Sequence, residues 1–198
     1  LHDLPVFWDE ELLKRDIHAV RMHPGLPSRF AIIPRYGQPS EIRWFEAEPT
    51  YILHFLNAYE DGDEVVMDGY FQENPTPRPL PDAPDGYGHM MSFLDEHSFK
   101  PKLHRWRFNM RTGETHERHL DDRILEFGMF NQRYAGRPYR YAYSTTSKPG
   151  WFLFTGFVKH DLETGQSWEV TLPDGRYASE APFVPRIDAK DEDDGYLV

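Results

Sequence analysis

Two stretches of this chain repeat one pattern, and that repeat restricts the fold more than any other feature. Residues 103–109 alternate in polarity, pass through Met110-Arg111-Thr112-Gly113-Glu114, and resume alternation over residues 115–120. Residues 156–162 do the same, passing through Glu163-Thr164-Gly165-Gln166 into residues 167–172. A period of two marks strands with one face turned inward, and a glycine between them marks a hairpin turn. The two turn glycines stand 52 positions apart (165 − 113). Between them lie two more strand candidates, residues 124–127 and Tyr139-Arg140-Tyr141-Ala142-Tyr143. The expectation is an all-β chain. A hairpin unit recurring at about 50 residues has the spacing of a β-propeller blade, and a plain antiparallel sandwich with two similar hairpins would share it. Blades of ~40–50 residues would give this chain about four.

The rest of the chain continues in the same manner. Residues 29–34 and 42–46 read as strands, and Asp61-Gly62 before Glu64-Val65-Val66 is a hairpin signal. Around Asp9-Glu10-Glu11-Leu12-Leu13 at most a short helical turn is expected, and the prolines and glycine of residues 21–28 make a loop. Residues 72–96 change character, with Asn74-Pro75-Thr76-Pro77-Arg78-Pro79-Leu80-Pro81 at their centre. Strand patterning resumes afterwards in the same style, so this stretch reads as a proline-rich loop or insertion within a single domain, 1–198.

Composition narrows the partners. The formal net charge is −11, which opposes binding to nucleic acid phosphates and electrostatic docking on anionic lipid. Without cysteine there is no disulfide, thiolate metal site or cysteine nucleophile, which fits a reducing compartment; the expected location is cytoplasmic. No apolar run approaches the ~18 residues of a membrane span. The start, Leu1-His2-Asp3-Leu4-Pro5, has no signal-peptide pattern and no initiator Met, so the chain reads as a piece of something longer.

One residue stands out chemically. The run Tyr51-Ile52-Leu53-His54-Phe55-Leu56 reads as a short buried strand with His54 in its middle. A buried imidazole needs partners for both ring nitrogens. His54 is therefore either a hydrogen-bonded core histidine or a metal ligand, and the pattern alone favours the former.

Several stretches together resemble the carotenoid cleavage oxygenases, a family that includes lignostilbene dioxygenases and the retinoid isomerohydrolase of the visual cycle. They are Ile42-Arg43-Trp44-Phe45-Glu46, His54-Phe55-Leu56-Asn57-Ala58-Tyr59-Glu60, Leu125-Glu126-Phe127 with Arg140-Tyr141-Ala142-Tyr143, and Phe157-Val158-Lys159-His160-Asp161-Leu162. The closing run is the most telling: Gly175-Arg176-Tyr177-Ala178-Ser179-Glu180-Ala181-Pro182-Phe183, then Lys190-Asp191-Glu192-Asp193-Asp194-Gly195-Tyr196-Leu197. The resemblance covers nearly the whole chain and is weakest in the proline-rich loop. It implies a seven-bladed β-propeller, of which this chain is part, with one non-haem Fe2+ on its axis held by four histidines. His54 matches the third of these, and Glu126 and Glu180 match two of the three glutamates that hydrogen-bond to the histidines from outside. Without the resemblance, both glutamates read as strand-edge carboxylates facing solvent.

The implied activity is cleavage of a carbon–carbon double bond in a carotenoid or apocarotenoid by O2, giving two carbonyl products. The implied partners are a hydrophobic conjugated substrate and O2, with peripheral membrane contact in the full protein as a further family trait. By the same resemblance, the first two iron histidines belong before Leu1 and the fourth shortly after Val198. The isolated chain is therefore expected to be inactive. Stilbene cleavage at the same site, a metal-free propeller acting as a binding module, and an inactive fragment are the alternatives. Of the other histidines, His2 lies next to Asp3 but at the wrong spacing for a ligand. His116, His119 and His160 are expected on solvent faces, and His18, His23, His89, His97 and His104 have no pattern that recruits them. Where many relatives read Glu-Phe-Pro-Arg, this chain has Glu126-Phe127-Gly128-Met129. Trp44, Phe55, Phe127 and Phe130 are candidates for a substrate tunnel or for blade packing.

Overall fold

The computed structural model describes residues 1–17, 20–75 and 86–198. In chain order the strands are β1 (His2–Asp3), β2 (Val6–Trp8), β3 (Val20–Met22), β4 (Ser28–Ile32), β5 (Arg43–Ala47), β6 (Phe55–Asp61), β7 (Glu64–Gln72) and β8 (Pro101–Asn109). They continue as β9 (Thr115–His119), β10 (Leu125–Phe130), β11 (Tyr141–Ser147), β12 (Phe154–Asp161), β13 (Ser167–Thr171), β14 (Phe183–Pro185) and β15 (Gly195–Leu197). Among the described residues three short α-helices, α1 (Glu10–Leu13), α2 (Tyr87–Ser92) and α3 (Glu96–Phe99), and two 3-10 turns, Pro39–Glu41 and Gln132–Tyr134, interrupt them. The centre of the proline-rich stretch, residues 76–85, lies outside the described residues, while α2 and the start of α3 fall within its C-terminal part.

Two four-stranded antiparallel meanders dominate: β6-β7-β8-β9 and β10-β11-β12-β13. Each ends in one of the two Thr-Gly hairpins, and the turns are built alike. Gly113 N–H donates to Asn109 O and Gly165 N–H to Asp161 O, at 2.9 and 2.8 Å. The side chain of the same residue, Asn109 or Asp161, accepts from the backbone N–H groups of the turn threonine and of the residue before it. Both glycines have positive φ, +86° and +73°, where a Cβ would be strained. The 52-residue repeat is thus a repeat of structure.

The sheets stack face to face in chain order. Phe30, Phe45, Ile52, Trp106 and Phe108 pack the β1-β4-β5 sheet against the first meander. Leu56, Tyr70, Leu103, Leu125, Phe130, Tyr139, Ala142 and Val158 fill the space between the two meanders. Met129, Tyr143, Ala181 and Phe183 pack the second meander against the closing segment.

The seam between the meanders also carries polar links. Asp68, fully buried on β7, accepts a bidentate pair from Arg105 at 2.8 Å each and a third bond from Tyr139 Oη at 2.7 Å. The Tyr70 and Ser144 hydroxyls pair at 2.8 Å, and the Asn57 amide reaches the backbone at Tyr134, Gly136 and Arg137. Glu192, from the acidic closing run, accepts from the backbone N–H groups of Arg140 and Tyr141 and so holds the start of β11.

Candidate metal centre

His54 sits one residue before β6, not inside a buried strand. Tyr51 makes a lone bridge to Gln72, Ile52 is buried, Leu53 is half exposed, and the strand begins only at Phe55. The apolar run is broken because its backbone turns at the strand entrance: the His54 carbonyl accepts from Tyr70 N–H at 3.2 Å. Gly69 permits that approach, since a Cβ there would lie 3.1 Å from the His54 oxygen. A one-residue bulge follows, with Phe55 and Ala58 pairing Gly69 and Met67. The His54 side chain remains 35% exposed.

Glu126 meets it from the neighbouring meander. Glu126 Oε2 lies 2.7 Å from His54 Nδ1 and accepts from Phe127 N–H at 2.7 Å. The residue is only 2% exposed. A second bulge makes this reach available: Glu126 and Met129 pair Thr145 and Tyr143, so one extra residue is inserted on β10. Phe127 takes φ +50°, a conformation costly for a bulky side chain, ~1–3 kcal/mol. Gly128 follows, where a Cβ would stand 1.8 Å from Leu56 Cδ1 and 2.5 Å from Tyr70 Oη. The Gly128-Met129 departure thus sits inside the bulge that aims Glu126.

An ionised carboxylate only accepts, so Nδ1 carries a hydrogen, and in the neutral ring Nε2 is the nitrogen with the lone pair. Among the described residues nothing is hydrogen-bonded to Nε2. This is the arrangement a metal-ligating histidine needs, with one nitrogen held by an acceptor and the other open. The Glu126 hydrogen bond raises the His54 pKa against the opposing effect of burial, and the charges of Glu126, Glu180 and Glu96 add to the rise.

Glu180 is exposed and makes no side-chain hydrogen bond that holds it within the described residues. It lines a cavity of about 300 Å³ together with His54, Phe55, Phe127 and Phe183. The structure therefore brings His54, Glu126 and Glu180 together, with Glu126 alone bonded to the imidazole. Among the described residues no group of three or more His, Asp or Glu side chains is arranged to hold a metal ion. His54 fits as one ligand of a larger set.

A larger cavity, about 930 Å³, is lined in part by Glu126 and Phe127. Its wall is largely apolar, with Phe7, Trp8, Leu53, Leu94, Phe99 and Phe152 contributing. Phe127 lines both spaces. Of the other aromatic candidates, Phe55 and Phe130 line the smaller cavity, Phe130 also packing between the meanders, and Trp44 is half exposed under the Arg29 guanidinium.

Glu96, at the start of α3, also lines the larger cavity and was not singled out by the sequence pattern. Burial pushes its carboxyl up to about 8, with the Ser147 hydroxyl offsetting part of the effect and the Glu126 charge adding to it. Between its ordinary value of 4.5 and about 8 the folded chain keeps a proton that the unfolded chain has released. Stability should therefore fall as pH rises through that window and level off above it. Glu96→Gln is neutral at every pH and is expected to remove this contribution. Chemical denaturation of wild type and variant full-length protein at ~pH 5 and ~pH 9 checks it, and an unchanged slope would refute it.

Two solvent-face expectations, those for His160 and His119, need correction. His160 is buried, with Nε2 3.0 Å from Asp121 Oδ2, because it shares the inward face of β12 with Phe154 and Val158. His119 is only partly exposed, because its ring pairs with His104 (Nδ1···Nδ1 2.9 Å), which is buried on β8 and also meets Glu117 at 3.1 Å. That cluster was readable from the hairpin register, which places His104 opposite His119. His116 is exposed as expected. His2 stacks on Phe30 at 4.7 Å and lines the larger cavity without joining His54; burial lowers its pKa to about 4.

Comparison with known proteins places this geometry. The family model described as retinal pigment epithelial membrane protein matches residues 1–198. A carotenoid 9,10(9′,10′)-cleavage dioxygenase 1 of Arabidopsis thaliana is 36% identical, covering 99% of this chain and 37% of that protein. A carotenoid cleavage oxygenase of Mycobacterium tuberculosis is 33% identical, covering 89% and 35%. Among solved structures, cobalt-substituted Synechocystis ACO superposes with a TM-score of 0.81 at 24% identity, over 99% of this chain and 40% of that one. The chain belongs to the retinal pigment epithelial membrane protein family, that of the carotenoid cleavage oxygenases. Its sheets are part of a seven-bladed β-propeller. The chain spans a little over a third of the length of the relatives it matches. No helix among the described residues is long and apolar enough to cross a membrane.

Proposed function

We propose that the complete protein is a non-haem iron dioxygenase that cleaves a carbon–carbon double bond of a carotenoid or apocarotenoid to two carbonyl products. The observation that carries this reading is the His54–Glu126 pair, an imidazole with one nitrogen held by a buried carboxylate and the other without a partner among the described residues, in a cavity of about 300 Å³ that Phe55, Phe127 and Phe183 also line. It is supported by relatives at 33–36% identity whose names specify carotenoid cleavage. His54 would bind the iron through Nε2, the remaining ligands coming from outside this chain. Bound iron would supply the activation of O2 next to the alkene.

This chain's own residues do the rest. Glu126 fixes the tautomer and direction of the His54 ring. Phe127 and the apolar wall exclude water and hold a long conjugated substrate. Glu180 faces the same space as His54 and is proposed to support a histidine beyond Val198. The single domain over 1–198 with its proline-rich insertion, and a cytoplasmic location in keeping with a cysteine-free chain, belong to the same reading.

The test is metal analysis of the full-length protein together with incubation under labelled O2 with a carotenoid, an apocarotenoid and a stilbene. Two labelled carbonyl fragments from a polyene support the proposal. Iron-loaded protein that leaves both polyenes intact, or cleaves only the stilbene, overturns it. Glu180→Gln is expected to lower turnover by about 10-fold, within the range for outer partners of metal ligands, while the unfolding midpoint stays put. An unchanged rate would leave Glu180 without a role at the centre.

A further inference from the structure

The bulge that brings Glu126 to His54 is tied, through its last residue, to the segment that carries Glu180. Met129 closes the bulge by pairing Tyr143, is 8% exposed, and lines the 300 Å³ cavity with His54 and Glu180. Its Sδ accepts from Ala181 N–H at 2.8 Å, a buried bond that spans 52 positions from the second meander to the closing segment. Ala181 is itself buried, and a buried backbone N–H needs an acceptor. The flanking residues are held elsewhere. On one side Ala178 N–H donates to Phe154 O at 2.8 Å. On the other, Pro182 O accepts from Val198 N–H at 3.2 Å and Phe183 pairs Leu197. Between those holds the Glu180 side chain is exposed, so the peptide that joins it to Ala181 is what places it.

We propose that Met129 is a positioning residue, whose thioether holds the Glu180–Ala181 peptide so that the Glu180 carboxylate stays in the space of His54. One bulge then sets both carboxylates: its first residue, Glu126, reaches the imidazole, and its last, Met129, holds the chain beside Glu180. A methionine suits the place. It is flexible enough to fill the gap among Tyr143, Ala181 and Phe183, and its sulfur is a weak acceptor in an otherwise apolar cluster. Leucine fills much the same volume but accepts nothing. With leucine at 129 the Ala181 N–H would be stranded, and the Glu180–Ala181 peptide would turn to find another partner, carrying Glu180 with it. This rests on the reading of His54 as an iron ligand and of Glu180 as support for a second one.

The experiment is a double-mutant cycle on the full-length protein, read as Fe2+ affinity by competition with a chelator. Glu180→Gln and Met129→Leu should each weaken Fe2+ binding by about 10-fold, the low end for loss of an outer partner of a metal ligand. The double variant should lose about the same 10-fold, because both changes remove one interaction. Met129→Gln, whose side-chain carbonyl can accept, should recover part of the affinity. In Met129→Leu, deuterium exchange over residues 178–183 should quicken by about 10-fold while the rest of the second meander is unchanged. Losses that multiply to about 100-fold in the double variant, or full affinity in Met129→Leu where Glu180→Gln is weakened, overturn the inference and leave the iron centre standing. Full affinity in Glu180→Gln overturns the inference together with the supporting role given to Glu180. Wild type that binds no Fe2+ sinks the dioxygenase reading, and the inference with it.

Discussion

His54→Ala in the full-length protein is expected to bring bound iron to background and to remove turnover, with the propeller still folded. Loss of an outer partner of a metal-ligating histidine costs ~10–100-fold in metal affinity, and loss of the ligand itself should exceed the upper end of that range. The fold should tolerate the change. The imidazole is a third exposed and lies outside the strand ladder, and its backbone carbonyl keeps its bond to Tyr70. Glu126 would lose one partner but retain the Phe127 N–H. Metal content by atomic absorption, product formation and circular dichroism together decide the matter. A variant with full iron content and full turnover would show that His54 is a core histidine after all.

Asp68→Ala should be the most destabilising single change in the seam, by about 3–5 kcal/mol. Asp68 is fully buried, and its two oxygens hold three bonds, two from Arg105 and one from Tyr139. Its removal strands a nearly buried guanidinium with nothing to neutralise it, which is why the cost exceeds that of the hydrogen bonds alone. Urea denaturation of the full-length protein, compared with wild type at matched m-value, reads the effect directly. A loss under about 1 kcal/mol would mean that water or a neighbouring carboxylate takes over the charge.

The strands were the legible part. Alternation around the two Thr-Gly turns located β8, β9, β12 and β13, because a half-buried strand and a glycine at positive φ leave marks in the sequence itself. The site was legible only through the family resemblance. His54 and Glu126 are 72 positions apart, and their meeting depends on two bulges that no residue pattern announces. The buried-strand expectation for residues 51–56 failed for the same reason: apolar residues there turn outward at a strand entrance, and period alone cannot tell an entrance from an interior. His160 was misplaced because a polar residue in an alternating strand reads as solvent-facing, although it lies in register with Phe154 and Val158 on the inward face of β12 and is paired there with Asp121. Glu96 was missed since the residues around α3 carry no period, and a carboxylate beside Phe93-Leu94 and before Phe99 reads as loop.

The two halves of the candidate centre come from different sheets, His54 from the first meander and Glu126 from the second. The imidazole is thus clamped across a joint, and its tilt is set by how tightly the joint is bolted at Asp68, Tyr70 and Asn57. Slack in any of those bolts should misalign the ring without touching it. The centre would act as a strain gauge for the wheel, so damage far out along the seam would register first as a mis-set ligand and only later as unfolding.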